Sequence, residues 1–390
     1  MTTPTATRPA ERLARLLPRL LAPITTVRAP YQAAFFRIGL SSVVLAFLLR
    51  EWPNRRVLYG NHSPLSFDLA QVLIREERTF TVLAWGDGGL WFETVYAVTI
   101  AAALAVLLGW RTRGTSVLLM GGVLSIINRN TLVGDGGDNV VRIMVIYLVF
   151  TRCAQVWSLD ARRARRRAGL PGHDRAGLLL WAVAGAVLIP LSSHPTHGWA
   201  LVFWTLWAVQ GLWYAADLRF PRHEARAVLD AAASMLHNCA MLAIAAQVCL
   251  IYATAGWYKI QGSRWQEGSA LYYALHLDYF APWPALSAFL AGSTLLVLAL
   301  TYLTVMAQVA FPFTLANRRV KNVLLAVMIA EHLGIAVVLG IPFLSLAMVV
   351  CDAVFLPTAF LIALGARCGR LAERLRSLPA QTARTVASTG

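Results

Sequence analysis

Charged residues are scarce in this chain of 390 residues: they make up 14% of it, whereas hydrophobic types make up 58%. Soluble globular proteins carry about 25% charged residues, so this composition does not supply a soluble surface for a chain of this length. The apolar residues stand in long blocks and lack the short alternation that is typical of β-barrel strands. In lipid, a helix satisfies every backbone group within its own segment. The sequence therefore predicts an all-α, polytopic membrane protein.

Metal-ligand spacings and a secretion signal are also lacking. The five cysteines include no pair with the spacing of zinc ligands, so we expect neither a metal site nor a disulfide framework. Residues 1–30 have no uninterrupted apolar core and no small-residue cleavage site, and they predict a basic amphipathic segment on the inner leaflet. The net charge of +16 comes from arginines clustered between apolar blocks. This pattern indicates contact with anionic membrane lipids rather than with nucleic acid.

The apolar blocks are long enough for about ten helical spans, which together predict a transmembrane bundle. They cover residues 33–49, 91–109, 115–132, 139–157, 176–193, 199–216, 235–256, 286–313, 323–340 and 342–364. We therefore divide the chain into the N-terminal segment 1–30, a transmembrane domain over 31–365 and a polar tail over 366–390, which we expect to be disordered.

The distribution of arginine predicts the orientation, because cytoplasmic loops carry an excess of basic residues. If the N-terminus lies inside, strict alternation places nearly every arginine-rich loop inside, including the cluster at 162–167. The first outer loop, 50–90, is the exception, and acidic residues offset part of its charge. We expect both ends in the cytoplasm and the protein in the cell membrane.

Lysine is nearly absent, since all but two of the 35 basic residues are arginine. Lys259 stands where the seventh predicted span leaves the membrane on the outer face, beside Trp257 and Tyr258. One interpretation is an interfacial anchor, in which the aromatic rings and the amine lie at the membrane surface. The other is a functional base, because a desolvated lysine can lose its proton and an arginine cannot.

Several ionisable residues lie at or near the predicted spans, where a charge costs several kcal/mol unless it is paired or functional. Arg37, Glu331 and His332 lie within apolar blocks, and Arg37 or Arg142 could pair with Glu331. His332 could carry protons or make a structural hydrogen bond. Asp138 and Arg142 are four residues apart, so they could pair on one helix face. The Gly134–Asp138 segment itself favours a glycine-rich turn over a phosphate site, because it lacks the strand-to-helix context.

Tryptophans surround the predicted outer ends of several spans, at positions 85, 91, 257, 265 and 283. They could anchor the protein in the outer interface, or they could roof an apolar cavity that accepts a quinone or a lipid tail. Both interpretations account for the same residues.

The stretch from Ala255 to Lys259, followed by Trp265, resembles the vitamin K-dependent γ-carboxylase superfamily, and more narrowly its horizontally transferred transmembrane (HTTM) domain proteins. Weaker similarities occur in the same order along the chain. They are Arg37, Leu58-Tyr59-Gly60, residues 109–113, Asn128-Arg129-Asn130, Gly136-Gly137-Asp138, Arg142 and Glu331-His332. Tyr258 replaces the first lysine of the family's pair, and no histidine stands near Gly134–Asp138, where the carboxylases have one.

The resemblance implies a function at the outer face. Lys259 would deprotonate a reduced, vitamin K-like quinone held near Trp257, Tyr258 and Trp265, and oxygenation of that quinone would provide the base for a glutamate γ-proton. A competing hypothesis is a non-catalytic membrane protein for the maturation, export or immunity of a small secreted peptide. A transporter is a third possibility, although the sequence shows no inverted repeat.

Overall fold

A computed structural model describes residue 22 and residues 24–167, 174–194, 198–219 and 224–387. Within these ranges the chain forms helices and turns and no strand, so the predicted all-α class is confirmed. Most of the predicted N-terminal segment 1–30 lies outside the described residues.

The first half of the chain contains both long helices and short ones. The α-helices up to the arginine cluster are α1 (Pro30–Glu51), α2 (Arg55–Leu58), α3 (Phe67–Glu76), α4 (Gly89–Leu108), α5 (Thr112–Arg129), α6 (Gly136–Val149) and α7 (Leu159–Arg167). 3-10 turns at Val82–Trp85 and Thr131–Val133 connect some of them.

The second half contains the longest helices and the residues of greatest functional interest. Its helices are α8 (Arg175–Ser192), α9 (Trp199–Arg219), α10 (Glu224–Gln261), α11 (Ser263–Gln266), α12 (Ala270–Leu275), α13 (Pro284–Ala291), α14 (Thr294–Ala310), α15 (Arg318–Val338), α16 (Pro342–Asp352) and α17 (Thr358–Ala387). Further 3-10 turns lie at Asp278–Phe280, Phe311–Ala316 and Ala353–Phe355.

Six helices of the described chain are long and apolar enough to cross a membrane: α1, α4, α8, α10, α14 with its 3-10 extension to Ala316, and α15. The pair α16 and α17 is a seventh candidate, although it is bent. A multi-pass helical membrane protein is therefore supported, and six or seven of the ten predicted spans meet this test of length and apolarity. Helices α5, α6 and α9 occupy the other three predicted spans but are shorter or more polar.

Burial explains why α5 is more polar than its neighbours. Its buried residues include Thr115, Ser125, Asn128 and Arg129, which other helices cover. A helix that is surrounded by protein needs no apolar face toward lipid, so a hydropathy pattern detects it poorly.

The final predicted span, 342–364, is wrong as a single helix, because α16 and α17 meet at an angle of 117°. Leu356 between them has extended backbone, with φ −65° and ψ 141°, and Pro357 follows it. A residue before proline disfavours the helical conformation, so the helix ends there. Beyond this corner α17 continues to Ala387, through the segment that the sequence predicts to be a disordered tail.

Helix α1 lies at the centre of the bundle, where it contacts α4, α6, α16 and α17. Its residues Ala33, Ala34, Phe36 and Leu40 are fully buried. Gly39 allows α16 to come close, since a Cβ atom built at this position would stand 2.5 Å from Val350. Small residues permit such close helix contacts in membrane proteins.

Charged groups from several predicted inner segments meet at one end of the bundle. Arg111 binds Asp174 with an N–O distance of 2.7 Å, and Arg152 binds Asp230 at 3.1 Å. The carboxylate of Asp174 hydrogen-bonds Arg111 and raises the pKa of its guanidinium above the ordinary value. Arg113 lies over the Trp213 ring, 4.0 Å from its centroid. These segments therefore share one end of the protein.

Candidate functional site

Lys259 takes part in a chain of hydrogen bonds that joins three helices. Its Nζ atom, in the last turn of α10, donates to Oε1 of Gln308 in α14 over 2.7 Å. Nε2 of Gln308 donates in turn to Oε1 of Glu331 in α15, also over 2.7 Å. We call these three residues the lysine–glutamate bridge.

Close packing of α10 and α14 brings the bridge together. Gly256 stands one turn before Lys259, and a Cβ atom built on it would lie 2.6 Å from Cγ2 of Val309. Val309 is the neighbour of Gln308, which is 5% exposed. Because glycine lacks a side chain, the helices approach closely enough for the amine to reach the buried amide.

The chemistry of the two ends orients the amide between them. A lysine ammonium group only donates hydrogen bonds, and a carboxylate only accepts them. The Gln308 oxygen therefore faces Lys259 and its nitrogen faces Glu331. This arrangement stabilises a positive charge on Lys259 opposite a negative charge on Glu331, with a neutral amide between them.

Polar atoms beside the bridge are buried without a partner among the described residues. They are Oε2 of Glu331 and both ring nitrogens of His332, which is 6% exposed. Buried polar atoms in folded proteins nearly always have a hydrogen-bond partner. The site thus presents two kinds of group, a carboxyl oxygen and an imidazole, that could bind a polar ligand or exchange a proton.

The three aromatic residues that the sequence assigns to a cofactor do not lie together. Trp265 covers the amine of Lys259, with Nζ 5.2 Å from the ring centroid. Trp257 and Tyr258 are 62% and 74% exposed on the outside of the bundle. Their exposure fits anchoring in the membrane interface, and only Trp265 contacts the candidate base. Trp283 is also exposed, at 59%.

Arg37 is fully buried at a different place in the bundle. Its guanidinium donates to the carbonyl oxygens of Val106, Leu107, Cys153 and Trp157. The pairing with Glu331 that the sequence allows is therefore wrong. Two of these carbonyls lie at the end of α4, and the other two lie in the segment between α6 and α7. Arg37 therefore holds both segments against α1, which is a structural role.

Asp138 and Arg142 do not pair either, although they share a helix. Asp138 forms a capping box with Asp135 at the start of α6: each carboxylate accepts a backbone N–H of the other residue. Arg142 donates to the side-chain oxygens of Asn128 and Asn139. The Gly134–Asp138 segment is thus a glycine-rich turn, as predicted, and it leads into the start of α6. The predicted ion pair between Asp138 and Arg142 is wrong. The partner of Glu331 among the described residues is Gln308, so the Arg142–Glu331 pair that the sequence allows is also wrong.

Tyr252 and Asp352 form a second buried polar pair close to the bridge. The hydroxyl of Tyr252 lies 2.9 Å and 2.8 Å from the two carboxylate oxygens of Asp352. The Tyr252 ring also lies near His332, with ring centroids 5.9 Å apart. Sequence reasoning missed Gln308 and the partnership of Tyr252; an amide inside the apolar run of α14 was the available signal for Gln308.

Other aromatic and histidine residues form contacts away from the bridge. Trp85 stacks on Trp91 and on His194, with centroids 5.9 Å and 4.6 Å away. His197 lies outside the described residues. His237 accepts a hydrogen bond from the backbone N–H of Arg152 and lies 2.8 Å from the Arg28 carbonyl. Within the described ranges, no three His, Cys, Asp or Glu residues form a group that could hold a metal ion.

Comparison with known proteins adds no relative to this picture. No family model, no curated protein and no solved structure matches the chain.

Proposed function

We propose that this protein is a membrane enzyme that resembles the vitamin K-dependent γ-carboxylase superfamily and uses Lys259 as a general base. The observation that carries the proposal is the lysine–glutamate bridge, in which the rare lysine reaches into the bundle and is fixed by Gln308. An interfacial anchor needs no such bond, since its amine is solvated by water and headgroups.

The proposed topology has ten spans, with both ends of the chain in the cytoplasm and Lys259 near the outer face. Helices α5, α6 and α9 supply the three spans beyond the apolar candidates, and the bent pair of α16 and α17 supplies the last. Support comes from the shared location of Arg111, Arg113, Arg152 and their partners at one end of the bundle. Lys259 and Glu224 stand at opposite ends of α10, so an inner location of Glu224 is consistent with an outer location of Lys259.

The residues of the site can accept and hold a proton. When Lys259 takes up a proton, the oxygen of Gln308 accepts a hydrogen bond from the ammonium, and Glu331 balances the charge through the amide. The ring of Trp265 adds a favourable cation–π contact on another side. Arginine does not serve as such a base, because its guanidinium stays protonated in proteins.

A reduced quinone is a suitable cofactor for this set of residues. Its hydroxyl groups can donate to Lys259 or to the unpartnered Oε2 of Glu331, and its ring can pack on Trp265. When bound, such a quinone would supply, together with dioxygen, the oxidative energy for removing a carbon-bound proton from a peptide glutamate. Lys259 would orient and deprotonate the hydroxyl, and Gln308 holds the amine in position.

The test uses purified protein in lipid nanodiscs with a reduced quinone, dioxygen, bicarbonate and a glutamate-containing peptide. The wild type should form quinone epoxide and carboxylated peptide. Lys259→Arg keeps the charge but loses the base, so we expect its rate to fall by roughly a hundredfold or more. Full activity of this variant would exclude Lys259 as the base.

The second lysine provides the matched control. Lys321, in the first turn of α15, donates a hydrogen bond to the carbonyl of Phe355 and does not contact the bridge. Lys321→Arg removes the other lysine of the chain and should keep the wild-type rate. Both variants should elute as the same species in size-exclusion chromatography, which separates a loss of chemistry from a loss of folding.

One observation favours the alternative, a non-catalytic membrane protein that acts in the maturation, export or immunity of a secreted peptide. Two of the three aromatic residues expected at a cofactor, Trp257 and Tyr258, lie on the outside of the bundle. Extraction of co-purified small molecules followed by mass spectrometry decides between the two. A bound quinone supports the enzyme, whereas a bound peptide without any quinone supports the alternative.

A further inference from the structure

The Tyr252–Asp352 pair is buried more completely than the bridge. Tyr252 is 1% exposed and Asp352 is 0% exposed. Among the described residues, the hydroxyl of Tyr252 is the partner of the Asp352 carboxyl group, and it reaches both oxygens. The other ionisable groups that face this carboxyl are Glu331, Cys351 and Cys249, which bring no positive charge.

A carboxylate in this position is costly, because it is fully buried and no cation among the described neighbours compensates its charge. Uptake of a proton removes most of that cost. Intramembrane Asp, Glu and His residues that lie in series commonly serve as proton relays. Asp352 is therefore suited to hold a proton and to exchange it through Tyr252, its side-chain partner in the described part of the chain.

His332 lies between this pair and the bridge. It directly follows Glu331 in α15, and its ring lies 5.9 Å from the ring of Tyr252. It is 6% exposed, and neither of its ring nitrogens has a partner among the described residues. An imidazole can accept a proton on one nitrogen and release one from the other. The structural hydrogen bond that the sequence also allows for His332 is not formed to any described residue.

The groups follow one another along the length of the bundle. Tyr252 precedes Lys259 by seven residues of the same helix, a rise of about 10 Å at 1.5 Å per residue. Asp352 ends α16, and Phe355 in the next turn accepts a hydrogen bond from Lys321, which stands in the first turn of α15. The series thus begins at the last turn of α10 and ends near the opposite end of the bundle.

We propose that Glu331, His332, Tyr252 and Asp352 form a proton relay between the lysine–glutamate bridge and the opposite face of the membrane. The relay is a function beyond the proposed enzyme activity and needs no quinone or peptide. It would return protons collected at Lys259 to the other side, and it would conduct protons under an imposed membrane potential.

Each step of the relay moves one proton between two heteroatoms and involves no oxidation. Glu331 passes a proton to one ring nitrogen of His332, and the ring turns toward Tyr252. The hydroxyl of Tyr252 gives its own proton to Asp352 as it receives the proton from the other ring nitrogen. Asp352 holds that proton until it releases it toward the end of the bundle at Phe355, which leaves a carboxylate ready for the next transfer. Glu331 takes up a new proton from the side of Lys259, and the His332 ring and the Tyr252 hydroxyl turn back to restore the starting state.

The experiment measures proton flux in liposomes of phosphatidylcholine and phosphatidylglycerol that contain the full-length protein and a trapped pH-sensitive dye. A potassium gradient with valinomycin imposes the potential. We expect the wild type to acidify or alkalinise the lumen faster than protein-free liposomes do. Asp352→Asn and Tyr252→Phe should return the rate to that of protein-free liposomes, and His332→Phe should do the same.

The matched controls make the same substitutions in the 3-10 turn Asp278–Phe280. Asp278→Asn and Tyr279→Phe alter the same residue types at exposed positions, and both should conduct like the wild type. Asp352→Glu keeps a carboxyl group and should retain part of the flux. If Asp352→Asn does not fold, Tyr252→Phe still tests the relay, because it removes one oxygen and keeps the ring packed on Phe311.

Two results would overturn the relay: a wild-type flux equal to that of protein-free liposomes, or an unchanged flux in folded Tyr252→Phe protein. A difference infrared spectrum reports directly on protonation of the Asp352 carboxyl group, which a purely structural role of this residue would not require. The carbonyl band of a protonated carboxyl group should disappear in Asp352→Asn and persist in Asp278→Asn. Because these measurements need no substrate, the relay and the lysine-base enzyme can fail independently.

Discussion

Gly256 and Val309 lie in closer contact than any larger residue at position 256 would allow, since a Cβ atom there would stand 2.6 Å from Cγ2 of Val309. The contact lies one turn from Lys259 and next to Gln308. The bridge therefore depends on the close approach of the Gly256 backbone to the Val309 side chain, and this dependence can be tested without changing a polar residue.

Gly256→Ala should push α10 away from α14 and weaken the Lys259–Gln308 hydrogen bond. Overpacking of a well-packed contact costs about 1–3 kcal/mol, so the melting temperature in detergent should fall. Gly334→Ala is the matched control, because that glycine lies inside α15 with open space around it. It should be neutral or stabilise by about 0.4–1 kcal/mol. Equal melting temperatures for both variants would contradict the close contact.

Gln308→Leu should destabilise the protein, because it leaves the charges of Lys259 and Glu331 without the amide between them. Breaking a buried ionic arrangement typically costs about 3–5 kcal/mol. Replacing all three residues, with Lys259→Met, Gln308→Leu and Glu331→Leu, should restore much of that loss, since no buried charge is left. Thermal unfolding of the two variants measures the difference, and a triple variant less stable than the single one would contradict it.

Arg37→Met should be among the most destabilising single changes in the chain. It removes the donor to the carbonyl groups of Leu107, Cys153 and Trp157, and each buried acceptor left unpaired costs about 1–3 kcal/mol. The Val106 carbonyl also loses Arg37 but keeps the backbone N–H of Gly109. Arg75→Met at an exposed position is the control and should change little. Expression level and melting temperature measure both, and a wild-type melting temperature for Arg37→Met would show that these bonds contribute nothing.

Labelling of single cysteines tests the proposed orientation. In a cysteine-free background on intact cells, an impermeant maleimide should label Glu267→Cys, which follows the bridge at an exposed position. It should label Arg166→Cys, in the exposed arginine cluster of α7, only after the cells are permeabilised. Labelling of both residues from the same side would refute the topology and the outer location of Lys259.

The sequence predicts the helical class well, because long apolar blocks leave few alternatives in lipid. It also indicates Lys259 as a candidate functional residue, because lysine is nearly absent elsewhere and this one stands at the end of a predicted span. Its partners depend on which faces of α10, α14 and α15 meet, and hydropathy does not encode that. For the same reason the sequence leaves open a pair of Arg37 or Arg142 with Glu331, whereas in the structure backbone carbonyls surround Arg37 and satisfy its guanidinium.

The break at Pro357 was missed because the apolar block continues across it. Hydropathy depends on residue type alone, whereas the corner comes from the extended conformation of Leu356 before a proline. In the sequence, Asp352 is a single charge within an apolar block, and only the packing of α16 against α10 brings it to Tyr252.

The corner between α16 and α17 has a further consequence for the shape of the protein at the membrane surface. The amide nitrogen of Gln32 in α1 donates to the Leu356 carbonyl and to the Thr358 hydroxyl, on both sides of Pro357. The direction in which α17 leaves is therefore fixed from within the bundle and does not depend on lipid. Arg367 and Arg370, exposed on α17, should accordingly keep their position relative to α1 in a detergent micelle and meet the headgroups at a preset angle in a bilayer.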